Sequence, residues 1–203
     1  MSSREEILAN IKRSRKAKNQ EIDLAPEPVA SGLRLPEGDL ALAFKQALEA
    51  VQGECYIFDN RDDCVAGIQT YLREKGATEH VFTSPSLAMP LAKQLGKKAT
   101  ELSQIQAGIS PCEVLAAQTG TAILSAREGR RLISFSPIHI IIAQRSQLRS
   151  SLDEAVKDLA QKYGKDFPSQ ITLITGPSRT ADIEKTLILG AHGPKNLAVF
   201  IYK

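Results

Sequence analysis

The segment richest in chemically capable side chains is ITGPSRTADIEKTLILGAHGP, from Ile174 to Pro194. It gathers two glycine–proline turns, an arginine, several hydroxyl groups, acids and a histidine around one short stretch of helical periodicity. Arg179 offers a planar fork of N–H donors that suits a carboxylate or a phosphate. His192 lies close to Gly190 and Gly193, where the backbone can approach another group closely. These residue types favour a site for a small anion.

The elements expected around this segment would place the anion at a helix start. The run ITLIT is β-branched and apolar, as in a central parallel strand, and Gly176 follows it. A helix is predicted from about Ala181 to Gly190, with Ile188 on its buried face. The intervening loop would then lie beyond the carboxyl end of a strand, where open α/β sheets bind their ligands.

Two interpretations of this loop stay open. Free N–H groups and the dipole at a helix N-terminus favour an anion, so Ser178, Arg179 and Thr180 would together hold one. Alternatively, Ser178 and Thr180 only cap the helix, while Arg179 pairs with Asp182 or Glu184. Capping explains the two hydroxyl residues, but it leaves the GAHGP sequence after the helix unexplained.

Two further stretches compete for the same site. QTGTAIL places the Thr119 and Thr121 hydroxyls around Gly120 at a predicted helix-to-strand junction, a possible nest of amides for an anion. GRRLISFSPIHIII carries Arg131, and His139 interrupts its apolar run. A buried histidine hydrogen-bonded to the backbone is the alternative for His139.

Composition limits the classes of function. The chain has 203 residues, 42% of them hydrophobic and 24% charged, which is typical of a globular protein with one sizeable core. A net charge of only +3 gives no reason to propose nucleic acid as a partner. No run approaches the roughly 20 apolar residues of a membrane helix, and the N-terminus lacks the apolar segment of a signal peptide. We therefore expect no membrane insertion and a cytoplasmic protein.

The three cysteines, Cys55, Cys64 and Cys112, are far apart and form no C-x-x-C pair or metal-ligand spacing. Small buried side chains are the expected role of such cysteines. We expect no metal site and no iron–sulfur cluster in this chain.

Two regions are expected along the chain. Residues 1–37 predict an N-terminal helix, whose KRSRKAK sequence is either a docking arm for an acidic partner or a solvated helix end, followed by a proline-rich linker. Residues 38–203 alternate strands and helices joined by short turns, which indicates an α/β domain with a largely parallel sheet.

The elements of the second region follow from apolar periodicity and turn residues. Helices are expected at DLALAFKQALEAVQG, RDDCVAGIQTYLREKG, SPSLAMPLAKQLG, SPCEVLAAQ and RSSLDEAVKDLAQKYG. Strands are expected at CYIFD, HVFTS, TGTAILSA, LISFSP, IHIIIAQ and NLAVFIY. The close succession of strands in the second half indicates a hairpin or meander beside the α/β sheet.

Three sequence blocks, AQTGTAIL, GRRLISFSPIHIIIA and TGPSRTADIEKTLILGAHGP, together resemble the LUD-domain family and, within it, the lactate-utilisation protein C (LutC/YkgG) group. Their order and spacing match from about Ile109 to the C-terminus. The resemblance implies a three-layer αβα fold with a mostly parallel sheet, like the NagB/RpiA/CoA-transferase superfamily. It also implies a part in oxidising L-lactate to pyruvate beside two companions, a cysteine-rich protein and a ferredoxin-like protein, which carry the iron–sulfur clusters.

The resemblance also implies a set of site residues. The ligand pocket would comprise Thr119, Gly120, Thr121, Arg131, Gly176, Ser178, Arg179, Thr180 and Gly193. The candidates for catalysis are His192, His139 and Asp182. Two positions depart from the family pattern: Gln118 replaces a glutamate, and Ser136 stands where leucine is frequent. Because an amide does not titrate, Gln118 puts intrinsic catalysis in more doubt than ligand binding.

Three functions are compatible with these features. The favoured one is a non-redox component of a lactate-oxidising system that binds lactate, pyruvate or a cofactor of a partner. The alternative is a stand-alone enzyme acting on a CoA thioester, a sugar phosphate or a folate. A small-anion sensor or assembly subunit is the third.

Overall fold

The computed structural model describes residues 3–17, 34–84, 87, 94, 102–128, 136–180, 188–190 and 192–203. The contacts divide the chain into two units, Met1–Gly32 and Leu33–Lys203. The first unit contains the helix α1 (Ser3–Ala17), on which Ile7 and Leu8 are 57% and 48% exposed. Among the described residues, no helix is both long and apolar enough to cross a bilayer.

The core of the second unit is a five-stranded sheet in which every neighbouring pair is parallel. Its strands, in chain order, are β1 (Glu54–Phe58), β2 (Val81–Thr83), β3 (Ala107–Pro111), β6 (Ile138–Gln144) and β11 (Asn196–Tyr202). The spatial order is β1-β11-β6-β3-β2. The prediction of an α/β protein with a mostly parallel sheet is confirmed.

The sheet is covered on both faces, which explains the continuous apolar runs of its central strands. Helix α2 (Leu40–Ala50) lies against one face, where its Phe44 and Leu48 join the Val199 side of β11. Helix α3 (Arg61–Glu74) lies against the other face and packs with Phe200.

Both helices begin at side-chain caps. The Asp39 carboxylate accepts from the Ala41 amide at 2.8 Å. Asn60 caps α3 by accepting from the Asp63 amide at 2.9 Å. Such caps satisfy N–H groups that lack a partner within the helix.

A second sheet of four strands lies on the α2 side of the parallel sheet and shares its core. Its strands are β4 (Val114–Ala116), β5 (Thr121–Ser125), β7 (Leu148–Arg149) and β8 (Ile171–Ile174), in the order β7-β4-β5-β8. β5 runs antiparallel to both β4 and β8. Helix α4 (Leu152–Tyr163), capped by Ser151, packs on its other face. Of the strands expected to form a hairpin or meander, TGTAILSA lies in the second sheet as β5, whereas IHIIIAQ forms β6 of the parallel sheet, so that part of the prediction is wrong.

Three local predictions are wrong. The SPCEVLAAQ segment forms the end of β3 and β4 instead of a helix. β8 is an antiparallel edge strand of the second sheet, not a central parallel strand. The helix expected from Ala181 to Gly190 is wrong at its carboxyl end, because β10 (Ile188–Leu189) pairs antiparallel with β9 (Arg179–Thr180).

Two other predicted elements cannot be compared with the structure. Most of the SPSLAMPLAKQLG helix and of the LISFSP strand lies outside the described residues.

Candidate functional site

A cavity of about 200 Å³ brings together the two ends of the segment that carries the most chemistry. One wall follows the carboxyl end of β8, and the other precedes the amino end of β11. The lining residues are Leu173, Ile174, Thr175, Gly176, Ser178, His192, Gly193 and Pro194. Four residues that sequence singled out, Gly176, Ser178, His192 and Gly193, therefore share one cavity.

Backbone hydrogen bonds hold the two walls together. The Ser178 amide donates to the Pro194 carbonyl at 2.9 Å, and the Gly190 amide donates to the Ser178 carbonyl at 2.9 Å. Next to them, the amides of Lys195 and Asn196 donate to the Pro137 carbonyl, just before β6. The cavity therefore borders the amino ends of the parallel strands β6 and β11, and the predicted position at the carboxyl edge of a parallel sheet is wrong.

The TGT segment reaches this cavity through a chain of hydroxyl groups. The Thr119 and Thr121 hydroxyl oxygens are 2.6 Å apart, and those of Thr121 and Thr175 are 2.7 Å apart. Thr121 is 3% exposed, whereas Thr175 is exposed and lines the cavity. Sequence analysis missed Thr175; its position next to Gly176, after a predicted strand, was the available signal.

Gly120 has a packing role that the sequence did not indicate. Its φ is +64°, and a Cβ atom there would lie 2.4 Å from the Leu48 amide nitrogen on α2. Since no side chain fits at that distance, glycine allows the TGT turn to lie directly against the helix backbone. The cavity lining does not include Gly120.

Gln118 is bonded to two backbone carbonyls and is not among the residues that line the cavity. Its amide donates to the Ser150 carbonyl at 3.0 Å, and its side-chain nitrogen donates to the Arg34 carbonyl at 3.3 Å. A glutamate carboxylate has no N–H to donate to that carbonyl. The amide at this position therefore suits a contact with the segment that leads into α2.

Arg179 has a structural partner. Its guanidinium donates to the carbonyl oxygen of Val51, at the C-terminus of α2, and its side chain is exposed. The residues that line the cavity include neither Arg179 nor Thr180, which forms β9 with it. The Ser178 amide is also engaged with Pro194, so it is not free for an anion. Ligand binding by Arg179 and Thr180 stays a prediction without support from this geometry.

His139 is fully buried in β6, and its Nε2 lies 2.8 Å from the Ser110 hydroxyl on β3. The alternative of a histidine bonded to backbone is therefore corrected to a bond with a side chain. Burial lowers the pKa of His139 to about 4, so the ring is neutral at physiological pH. Among the described residues, the Nδ1 atom and the buried Ser136 hydroxyl have no hydrogen-bond partner. Among the described contacts, none joins His139 to the cavity.

Two predicted site residues, Arg131 and Asp182, lie outside the described residues.

A larger cavity, of about 530 Å³, lies near the amino ends of β2, β3 and β6. Its polar lining includes Lys75, His80, Ser103, Gln104 and Gln106. Lys75 is already paired with Glu54 at 3.1 Å. None of these polar residues is a predicted site residue, although Pro137 and Ile138 of the SPIHIII segment also line this cavity. The smaller cavity holds four predicted site residues and is therefore the better candidate.

The cysteines are buried and form no disulfide. Burial raises the pKa of the Cys55, Cys64 and Cys112 thiols to about 12. Within the described ranges, no group of three or more His, Cys, Asp or Glu side chains could hold a metal ion.

The fold and the cavity define an α/β protein with a parallel sheet, a second, mixed sheet and a small site between their strand ends. The LUD domain model matches residues 42–202, so the chain belongs to the LUD-domain family. The family that the sequence motifs predicted is confirmed.

Relatives give more detail. A protein named lactate utilization protein C from Geobacillus thermodenitrificans is 31% identical over 173 residues, which cover 80% of this chain and 68% of that protein. An uncharacterized protein of Neisseria meningitidis serogroup B is 33% identical over 131 residues, covering 62% of this chain and 56% of that protein. The chain thus spans between about half and two thirds of these relatives' length.

A solved structure has the same fold. The crystal structure of a DUF162 family protein from Deinococcus radiodurans matches with a TM-score of 0.62 over 84% of this chain and 100% of that chain. The two sequences are 18% identical, so this likeness concerns the fold alone.

Proposed function

We propose that this protein takes part in lactate utilisation and binds a small carboxylate, L-lactate or pyruvate, in the 200 Å³ cavity. Relatives named lactate utilization protein C support the role. The observation that carries the binding proposal is the meeting of the GPSR and HGP motifs in one cavity of a size suited to a small molecule.

The lining groups match the chemistry of a 2-hydroxy acid. The Thr175 and Ser178 hydroxyls can each donate to a carboxylate or accept from a substrate hydroxyl. The His192 imidazole adds a ring N–H, and Ile174 and Pro194 supply apolar surface for a methyl group. The anion is thus bound by hydroxyls and an imidazole rather than by a helix N-terminus.

The redox chemistry is assigned to partner proteins, a cysteine-rich protein and a ferredoxin-like protein that carry iron–sulfur clusters. Cluster ligands are thiolates, and the described part of this chain holds no group of three or more His, Cys, Asp or Glu side chains that could bind a metal ion. This favours a non-redox, ligand-binding role for the chain within a larger system.

Calorimetric titration with L-lactate, pyruvate and, for comparison, chloride tests the binding site. His192→Ala and Ser178→Ala are each expected to weaken carboxylate binding by about tenfold or more, because a hydrogen bond to a charged group contributes about 1.5–3 kcal/mol. His80→Ala is the matched control, since His80 lines the other cavity. Equal affinities in wild type and both cavity variants would reject this site.

The role in the cell is tested separately. Deletion of the gene is expected to slow growth on L-lactate but not on glucose, and the purified protein alone is expected to leave L-lactate unchanged. Turnover of a CoA thioester, a sugar phosphate or a folate by the purified protein would instead support a stand-alone enzyme.

A further inference from the structure

Three residues of the site motifs, Gly120, Gly176 and Arg179, lie against the last turn of α2. A Cβ atom on Gly120 would lie 2.4 Å from the Leu48 amide nitrogen, and one on Gly176 would lie 2.8 Å from the Val51 carbonyl oxygen. The Arg179 guanidinium donates to that same Val51 oxygen. These contacts join residues far apart in sequence: 128 positions separate Arg179 from Val51.

The Val51 carbonyl is a good acceptor for an arginine. Val51 is the C-cap of α2, and the last carbonyl groups of a helix have no N–H partner within the helix. They also carry the negative end of the helix dipole, which attracts a cation. The guanidinium therefore stabilises the C-terminus of α2 in two ways, through its hydrogen bond to the carbonyl and through its positive charge.

Ser178 lies between the two residues that touch Val51. Gly176 and Arg179 flank it in the chain, and Ser178 lines the cavity while bonding through its backbone to both Pro194 and Gly190. A movement of Gly176 or Arg179 away from α2 would therefore shift Ser178 and both cavity walls.

The geometry points to Arg179 as a positioning residue: it anchors the Gly176–Thr180 loop to the C-terminus of α2 and thereby sets the shape of the cavity, instead of binding the ligand itself. The consequence for ligand affinity rests on the proposed function, but the anchoring itself does not.

The test compares amide hydrogen exchange in the ligand-free protein with L-lactate affinity. In Arg179→Ala, the amides of Ser178 and Gly190 are expected to exchange at least about fivefold faster, because their bonds lose their support. Affinity for L-lactate then falls as well. Arg179→Lys, which keeps a charged donor, is expected to restore part of both effects.

Arg127→Ala is the matched control, since Arg127 is also exposed and donates to a backbone carbonyl, that of Asp166, at 2.9 Å. It is expected to leave the Ser178 and Gly190 amides unchanged. Gly176→Ala tests the same anchor in a second way. Its methyl group would lie 2.8 Å from the same Val51 oxygen and would push the loop away from α2. Its effect on exchange should add little to that of Arg179→Ala in the double variant.

Two results would overturn the inference: unchanged exchange at Ser178 and Gly190 in Arg179→Ala, or full additivity of the two substitutions. Unchanged exchange with weakened L-lactate binding would show that Arg179 contacts the ligand directly. If wild type binds no L-lactate, the exchange measurements still decide whether Arg179 anchors the loop.

Discussion

The two strands that border the cavity, β11 of the parallel sheet and the edge strand β8 of the second sheet, differ in how completely they are buried. In the parallel sheet, β11 is buried without interruption from Leu197 to Ile201. In the second sheet, the edge strand β8 buries Ile174 but leaves Leu173 48% exposed. The cavity opens where β8 ends and β11 begins. The buried strand β11 thus supports the site, and the ligand-accessible wall comes from the partly exposed edge strand β8.

The largest expected contrast is in the free energy of unfolding, when one phenylalanine from each region is replaced by alanine. Phe200 in β11 is 1% exposed and stacks with Tyr56 at a ring-centroid distance of 4.8 Å. Phe200→Ala should lower the free energy of unfolding by about 3–5 kcal/mol, through lost burial and a residual cavity. Phe167→Ala, before β8, should cost about 1 kcal/mol or less, because Phe167 is 49% exposed.

Urea unfolding at neutral pH measures both changes. Similar losses for Phe200→Ala and Phe167→Ala would contradict the difference in burial between the two regions.

The next effect concerns the pH dependence of stability and His139 in the parallel sheet. The pKa of His139 falls from the usual 6.5 to about 4 on folding, so only the unfolded chain binds a proton there between these values. Stability should therefore fall as the pH drops from about 6.5 to about 4, by about 3 kcal/mol in all. His139→Gln, which does not titrate, should remove this part of the pH dependence.

The comparison uses the difference between wild type and variant, because Glu54 and Glu113 also have lowered pKa values and lose their stabilising effect as the pH falls further. His80→Gln is the control, since His80 is only half-buried. Parallel pH profiles for wild type and His139→Gln would show that His139 does not behave as a buried neutral group.

A smaller effect is expected where the second sheet meets α2. Gly120→Ala combines a positive φ of +64° with a contact of 2.4 Å to helix backbone, and should cost about 2–3 kcal/mol. Gly76→Ala has nearly the same φ, +67°, with no atom within 4 Å of the new Cβ, and should cost only about 1 kcal/mol. Thermal unfolding separates them; equal losses would mean that the TGT turn does not pack on α2.

Much of the fold followed from the sequence because the parallel strands carry an unambiguous signal. Runs such as IHIIIAQ and NLAVFIY are apolar at most positions on both faces, as a strand covered on both faces requires. β8 carries the same kind of run, ITLI, yet it is an edge strand whose Leu173 is exposed. β4 has only three residues, too few to separate a strand from a helix by periodicity.

Part of the candidate site was also predictable, because its residues belong to a distinctive sequence motif. Gly176, Ser178, His192 and Gly193 are near the turns of a distinctive motif, and the structure gathers them in one cavity. The partner of Arg179 was not predictable, because Val51 is a backbone carbonyl at the end of a distant helix. The sequence likewise indicates only a turn at Gly120. Its close contact with the backbone of α2 was not predictable.

The central claim is that the GPSR and HGP motifs form one binding site for a small carboxylate. Titration of ¹⁵N-labelled protein with L-lactate, followed by amide chemical shifts, tests it most directly. We expect saturable shifts at Gly176, Ser178, His192 and Gly193, with none at His80 or Gln106 in the larger cavity. Shifts confined to the larger cavity, or none at the four cavity amides at saturating L-lactate, would contradict the account.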